Sequence, residues 1–326
     1  MSQSLGNHEF DNGVAGLVPF LNEVSFPVVT ANLDLSLEPT LRATKRLTNS
    51  TVLLVNGHKI GVAGYLTPDT KSLSNTGQVG FVDEVLALRR EVAALRSEGC
   101  TVIIALGHSG FEADKRIARE VEHVDLVIGG HTNTFLYSGA QPDSELPEGP
   151  YPYPVEQADG RRVYVVQAYA FTKYLGNLSV QFDAQGEVRF VEGNPIVVDA
   201  SVPMAEDVAR ELRRWTAPLA NSSKLLVGET KVLLEGDEKV CRLQECNMGD
   251  LLTDAMIRYV SSLSIPFTIY DYTKLSTKLK YCAYSCLLHY KMYSFGLLDR
   301  TPRGTTELAG PTPRWPSIKP EEYAPP

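Results

Sequence analysis

The chain has 326 residues, about twice the length of a typical single domain, which predicts one large or two modest domains. Its composition is 43% apolar and 21% charged, which excludes wholesale disorder, a collagen-like chain and a multi-span membrane protein. The net charge of −8 argues against nucleic-acid partners, because phosphate-binding surfaces need an excess of Lys and Arg. An anionic small substrate would need a local cation, and in an acidic protein this favours a bound metal.

Residues 28–200 alternate short apolar runs with amphipathic stretches. Strands are predicted at 28–33, 58–66, 101–106 and 124–128, and helices at 83–98 and 113–121. A loop rich in Pro, Gly and acids is predicted at 139–161, a strand at 162–171, and an antiparallel pair at 175–182 and 187–198. Strands that alternate with helices favour a layered α/β domain.

The C-terminal third differs in character. A helix is predicted from Met204 to about 220, then a strand from Val227 to about 234 and a helix at 249–259. Beyond residue 260 the periodicity ends, and the last residues are rich in proline. The predicted organisation is a first domain at 1–200, a connecting helix at 201–226, the start of a second domain at 227–260, and a divergent, largely disordered tail at 261–326.

Three histidines share one local context. His8, His108 and His131 each follow a glycine or a Gly-Asn pair, near the end of an apolar run. Loops at strand ends are where α/β domains build their sites, and glycine allows a close approach of the backbone. One such histidine is more often structural, but three in the same context favour a metal site.

The signals for cellular location disagree. The first residues lack the basic and apolar segments of a signal peptide, and the last lack the apolar tail of a lipid-anchor signal. The sequence has no run of about eighteen apolar residues, so no transmembrane helix is predicted. Asn49, Asn177 and Asn221, however, begin Asn-X-Ser/Thr triplets and are candidate glycosylation sites. The sequence leaves both an extracellular and a cytoplasmic location open.

Longer motifs identify a family resemblance. Gly-Asn-His-Glu-Phe-Asp-Asn-Gly at 6–13, Gly-His-Ser-Gly at 107–110 and Gly-Gly-His-Thr-Asn at 129–133 resemble the calcineurin-like metallophosphoesterases. The sequence is most similar to the 5'-nucleotidase family, especially the animal ecto-enzymes, over about residues 5–260. The resemblance implies an α-β-β-α sandwich followed by the start of a second α/β nucleotidase domain. It also implies hydrolysis of nucleoside 5'-monophosphates, AMP above all, to the nucleoside and phosphate.

The resemblance assigns roles to individual residues. Family members bind two metal ions, usually zinc, and Asn7, His108 and His131 match the ligands of one of them. His8 matches the residue that stabilises the phosphoryl group and assists the leaving oxygen, and Asp11 matches its carboxylate partner. Considered alone, Asn7 would be interpreted as a turn residue and Asp11 as a helix cap.

Further family positions concern the substrate and the second domain. Asn133 and Arg242 match residues that contact substrate phosphate, although alone they would be read as an Asx-turn and an exposed arginine. Cys241 and Cys246 resemble a family disulfide. The family forms homodimers through the second domain, of which the sequence has only the start, so pairing of this chain stays open.

The sequence also departs from the family pattern. The other metal requires an Asp-X-His motif and a bridging aspartate from a Gly-Asp motif before residue 6, and no histidine here has an aspartate two residues before it. We therefore expect a chain truncated at both ends, with at most one zinc site and impaired hydrolysis. Two alternatives stay open. One is a non-catalytic isoform that binds nucleotide or metal weakly or pairs with the full-length enzyme; the other is a sister hydrolase of UDP-sugars, nucleoside di- or triphosphates, or cyclic nucleotides.

Overall fold

A computed structural model describes residues 1–219, 225–226, 228–241 and 243–262 of the chain. The chain divides into two compact units, Met1–Met204 and a second that begins at Ala205. The predicted tail lies outside the described residues except for Ser261 and Ser262, and so do Asn221 and Arg242.

The first unit contains all of the strands within the described residues. These strands are β1 (Gln3–Ser4), β2 (Val28–Val29), β3 (Leu33–Asp34), β4 (Leu47–Thr48), β5 (Ser50–Val55), β6 (His58–Leu66), β7 (Gly80–Phe81), β8 (Val102–His108), β9 (Leu126–Ile128), β10 (Tyr153–Glu156), β11 (Arg162–Val166), β12 (Tyr174–Leu175), β13 (Leu178–Phe182), β14 (Val188–Gly193) and β15 (Ile196–Val197). Its helices are a 3₁₀ turn (Asn7–Phe10), α1 (Gly13–Glu23), α2 (Pro39–Arg42), α3 (Thr70–Leu73), α4 (Glu84–Ser97) and α5 (Phe111–Glu120).

The central element is a six-stranded sheet with the order β10-β11-β9-β8-β6-β5. The inner strands β6, β8, β9 and β11 are parallel, and β5 and β10 pair antiparallel at the two edges. Parallel strands are covered on both faces, which explains the continuous apolar run in β8. Because the inner strands run in one direction, their carboxyl ends meet at one edge of the sheet.

Two apolar cores produce the layers. On one face of the sheet, α4 and α5 bury Leu88, Leu95 and Ile117 against residues of β6 and β8. The other core packs Leu17 and Leu21 of α1 around the three-stranded sheet β1-β2-β4, and β1 and β2 contact β6. The order helix, sheet, sheet, helix confirms the predicted layered α/β sandwich.

Several element boundaries differ from the sequence predictions. The predicted loop at 139–161 contains β10, which pairs antiparallel with β11. The predicted strand at 162–171 ends at Val166, since Tyr169, Phe171 and Thr172 adopt left-handed backbone conformations that no strand accommodates.

The predicted strand at 28–33 is also interrupted. The backbone leaves β2 after Val29. The Asn32 side chain then accepts from Leu66 N at 2.9 Å and donates to the Leu66 carbonyl at 2.7 Å. A side chain thus replaces the strand partner at this point.

The second unit contains α6 (Glu206–Thr216), α7 (Glu238–Cys241) and α8 (Asn247–Ser262). The described residues of 228–234 form no strand, contrary to the prediction; instead the Asn247 side chain accepts from Glu235 N and donates to the Leu233 carbonyl. Within the described part of the chain, no helix combines the length and the apolar character needed to cross a membrane.

Candidate functional site

The candidate site lies at the carboxyl edge of the six-stranded sheet. His108 is the last residue of β8, and His131 lies in the loop that follows β9. Asn7 begins the 3₁₀ turn after β1, a strand that contacts β8. Residues from distant parts of the sequence therefore meet where the inner strands end, as is typical of α/β sites.

Asn7, His108 and His131 form one cluster. Asn7 Oδ1 lies 3.0 Å from His108 Nε2 and 3.1 Å from His131 Nδ1. The two imidazole centroids are 5.0 Å apart, with the rings inclined at 64°. Asn7 is 4% exposed, so its amide oxygen is fixed between the two rings. Three donor atoms thus converge on a small volume.

Burial keeps both imidazoles of this cluster neutral. It lowers the pKa of His108 to about 4, with a further contribution from the neighbouring His131. Burial also lowers the pKa of His131, although the Asp69 carboxylate acts in the opposite direction. A neutral imidazole carries a lone pair and is the form that binds a metal.

His8 and Asp11 form a second, more exposed pair beside this cluster. His8 Nδ1 lies 2.8 Å from Asp11 Oδ2, and the side chains are 77% and 51% exposed. The Ser74 hydroxyl donates to Asp11 Oδ1 at 2.6 Å. The bonds from Ser74 and His8 lower the pKa of Asp11, which keeps it an acceptor. With Nδ1 engaged by Asp11, the His8 Nε2 atom is the one left to meet a ligand.

The remaining predicted residues lie at different places. Asn133 is exposed, two residues after His131, in the same loop and with φ at 55°. Asn49 and Asn177 are exposed on the first unit. In the second unit, Cys241 and Cys246 form a disulfide with Cα atoms 5.3 Å apart.

The chemistry of the cluster fits a divalent cation. Two neutral imidazoles and one amide oxygen are N and O donors of the kind that zinc and similar ions accept. The set carries no negative charge, and within the described residues no group of three His, Cys, Asp or Glu side chains is arranged to hold a metal. The cluster is therefore a set of neutral donors that suits a divalent cation.

Sequence reasoning missed a buried hydrogen-bonded group beneath the site. Asp114 Oδ1 accepts from the Tyr65 hydroxyl at 2.6 Å, and its Oδ2 accepts from Gln167 Nε2 at 2.6 Å. Burial raises the pKa of Asp114 to about 7 and raises that of Tyr65 as well. One sequence signal was available: Asp114 shares the buried face of α5 with Phe111 and Ile117, where a charged residue is unusual.

Comparison with known proteins identifies the relatives of this chain. Residues 4–135 match the family model described as calcineurin-like phosphoesterase. The 5'-nucleotidase of Diplobatis ommata is 50% identical over 259 residues, which cover 79% of this chain and 45% of the relative. The snake venom 5'-nucleotidase of Crotalus adamanteus is 45% identical over 258 residues, 78% of this chain and 44% of the relative.

A solved structure extends the likeness to the fold. The crystal structure of a 5'-nucleotidase precursor from Thermus thermophilus superposes with a TM-score of 0.74 at 36% identity, covering 80% of this chain and 52% of that one. The chain spans about half the length of the curated relatives it matches. It is a member of the 5'-nucleotidase family of calcineurin-like phosphoesterases.

Proposed function

We propose that this chain contributes the site of a metal-dependent hydrolase of nucleoside 5'-monophosphates, AMP foremost. The observation that carries the proposal is the convergence of Asn7, His108 and His131 beside the His8–Asp11 pair. The relatives named 5'-nucleotidase support the substrate class.

Each residue has a distinct part in this proposal. Asn7, His108 and His131 would hold the cation, with zinc favoured by the two imidazole donors. When bound, a divalent cation supplies Lewis-acid polarisation of a phosphoryl oxygen. Asp11 fixes the His8 ring through Nδ1, so that His8 Nε2 is directed outward to hold a proton at the leaving oxygen. Asn133, in the same loop as His131, would bond a phosphate oxygen.

The cluster predicts weak binding of one metal by this chain. Neutral ligands do not offset the charge of a divalent cation, whereas an anionic ligand would. The two-metal arrangement of the family needs carboxylates that these three residues do not supply. We therefore expect slow hydrolysis by this chain, and a non-catalytic chain that binds metal or nucleotide weakly is the second candidate.

A phosphate-release assay with zinc and AMP tests the proposal. His8→Ala removes the proton-holding group, whereas His123→Ala changes a histidine in the turn before β9 and serves as the control. Turnover by the wild type and the control well above that of His8→Ala is expected. Equal rates for all three proteins would contradict hydrolysis by this chain and favour the non-catalytic candidate. Running ADP, a UDP-sugar and a cyclic nucleotide beside AMP separates a nucleotidase from a sister hydrolase.

We also propose an extracellular location for the whole protein. A disulfide persists in oxidising compartments, and Asn49 and Asn177 expose their acceptor triplets. One relative is named a snake venom enzyme, which is consistent with secretion. Treatment of the native protein with an N-glycosidase is expected to reduce its mass; an unchanged mass and free thiols at Cys241 and Cys246 would contradict the proposal.

A further inference from the structure

We propose that Tyr65, Asp114 and Gln167 form a positioning unit that sets the backbone under both metal-binding histidines. The inference rests on the proposed metal site for its purpose, whereas its geometry stands by itself. Asp114 lies on α5 and is 0% exposed, and its carboxylate packs against Gly129 directly after β9, at the carboxyl ends of the inner strands.

Gln167 connects Asp114 to the loop that carries His131. Its Nε2 donates to Asp114 Oδ2 at 2.6 Å and to the Gly130 carbonyl at 3.2 Å. Its Oε1 accepts from Thr134 N at 3.1 Å. The Gln167 amide thus holds the backbone on both sides of His131, and Asp114 fixes the orientation of that amide.

Packing ties the same unit to the glycines that precede the histidines. A Cβ atom at Gly129 would lie 1.8 Å from Asp114 Oδ2, so the carboxylate occupies the space a side chain would need. A Cβ atom at Gly107 would lie 2.4 Å from the Tyr65 ring, which packs against Gly107, the residue before His108. The glycines in both histidine motifs are therefore required because Tyr65 and Asp114 lie against them.

The unit differs from an ordinary buried polar contact because it bonds the backbone of the loop that carries His131. Residues that orient metal ligands commonly act through a short hydrogen-bonded chain, and their loss weakens metal binding without removing a ligand. Asp125, also buried, bonds Ile103 N near the start of β8, at the far edge of the sheet. It offers a matched control for the loss of a buried carboxylate away from the site.

Amide hydrogen exchange and zinc titration test the inference. In Asp114→Ala, exchange in residues 129–134 of the metal-free protein is expected to rise about 10-fold, since the Gln167 amide loses its anchor. Zinc affinity, measured calorimetrically, is expected to fall about 10- to 100-fold. Asp125→Ala lowers the global stability, but it is expected to leave zinc affinity, and the exchange of residues 129–134 that proceeds by local opening, at wild-type values.

Two milder variants keep the test decisive if Asp114→Ala does not fold. Asp114→Asn retains an acceptor for Gln167 and a partner for the Tyr65 hydroxyl, so it is expected to restore most of the protection and affinity. Tyr65→Phe removes only the hydroxyl and is expected to raise exchange in 129–134, whereas Tyr164→Phe on β11 is not.

Opposite outcomes overturn the inference. Asp114→Ala is compared with Asp125→Ala, and Tyr65→Phe, used in its place, with Tyr164→Phe. If the variant has the same amide exchange rates in residues 129–134 and the same zinc affinity as its control, the unit has no positioning role. If the wild type binds no zinc, the proposed metal site fails; the exchange comparison in metal-free protein still decides whether the unit orders the loop.

Discussion

A buried aspartate lies near each end of the inner parallel strands, Asp125 at their amino ends (the amino edge) and Asp114 at their carboxyl ends (the carboxyl edge), and the partners of the two differ. At the amino edge, Asp125 contacts the Arg161 guanidinium and accepts from Ile103 N at 2.7 Å. At the carboxyl edge, Asp114 accepts from two neutral donors, Tyr65 and Gln167. An ion pair joins strands and stabilises the framework, whereas neutral donors around a carboxylate fix the direction of side chains. The same residue type therefore serves stability at one edge and orientation at the other.

The largest expected change in folding stability lies at the amino edge. Asp125→Ala leaves the half-buried Arg161 with only Glu187 as its carboxylate partner, and breaking a buried pair of this kind costs about 3 kcal/mol. Urea unfolding at pH 7 measures the loss. Arg161→Met, which removes the cation instead, is expected to cost less, because the Asp125 carboxyl can take up a proton. Equal stability of wild type and Asp125→Ala would show that the pair does not stabilise the framework.

The largest expected change in ligand binding lies at the carboxyl edge. His131→Ala deletes a metal donor and is expected to lower zinc affinity by more than the about 10- to 100-fold lost with residues that only orient ligands. His58→Ala, an exposed histidine at the start of β6, changes the opposite edge and is the control. Calorimetric titration with zinc compares the two variants. Similar zinc affinities of His131→Ala and His58→Ala would contradict the assignment of His131 as a ligand.

The inner strands β6 and β8, and the proximity of His108 and His131, could be predicted from the sequence for a common reason. The apolar runs of β6 and β8 have the continuous pattern of buried parallel strands, and each histidine motif directly follows such a run or a glycine turn. Once the inner strands are parallel, the motifs at 107–110 and 129–133 must meet at one edge. Local pattern and topology together were sufficient to bring His108 and His131 together.

Other features depend on contacts that local pattern does not encode. Gln167 lies 53 residues from Asp114, and Ser74 lies 63 residues from Asp11, so no periodicity connects them. The strand β10 was missed because Pro, Gly and acidic residues around it indicate a loop, while its pairing with β11 comes from the tertiary structure. The interruption after β2 likewise depends on Asn32 reaching Leu66.

The dependence of stability on pH tests Asp114, one of two buried aspartates whose pKa burial raises to about 7; the other is Asp125. The Asp114 pKa is about 7 in the folded chain and 3.8 in a model peptide, so the folded state binds the extra proton between these values. The stability that protonated Asp114 contributes is complete below pH 4 and is lost as pH rises through 7. Relative to Asp114→Asn, the wild type is expected to lose about 2 kcal/mol between pH 5 and pH 7. Urea unfolding across this range measures it, and parallel curves would contradict the raised pKa.

The smallest expected effect concerns the exposed pair beside the cluster. Ser74 bonds Asp11, which in turn holds the His8 ring, so Ser74→Ala loosens His8 without removing any group proposed to meet substrate. One lost hydrogen bond of this kind predicts a decrease in AMP turnover of up to about 10-fold, with little change in KM. Ser72→Ala, on α3 two residues before Ser74, removes a hydroxyl that bonds the Asp69 carbonyl; it is the control and is expected to retain wild-type turnover. Because Asp11 is half exposed, water can replace part of the lost contact, and this replacement limits the effect. A decrease as large as that of His8→Ala would instead place Ser74 in direct contact with the substrate.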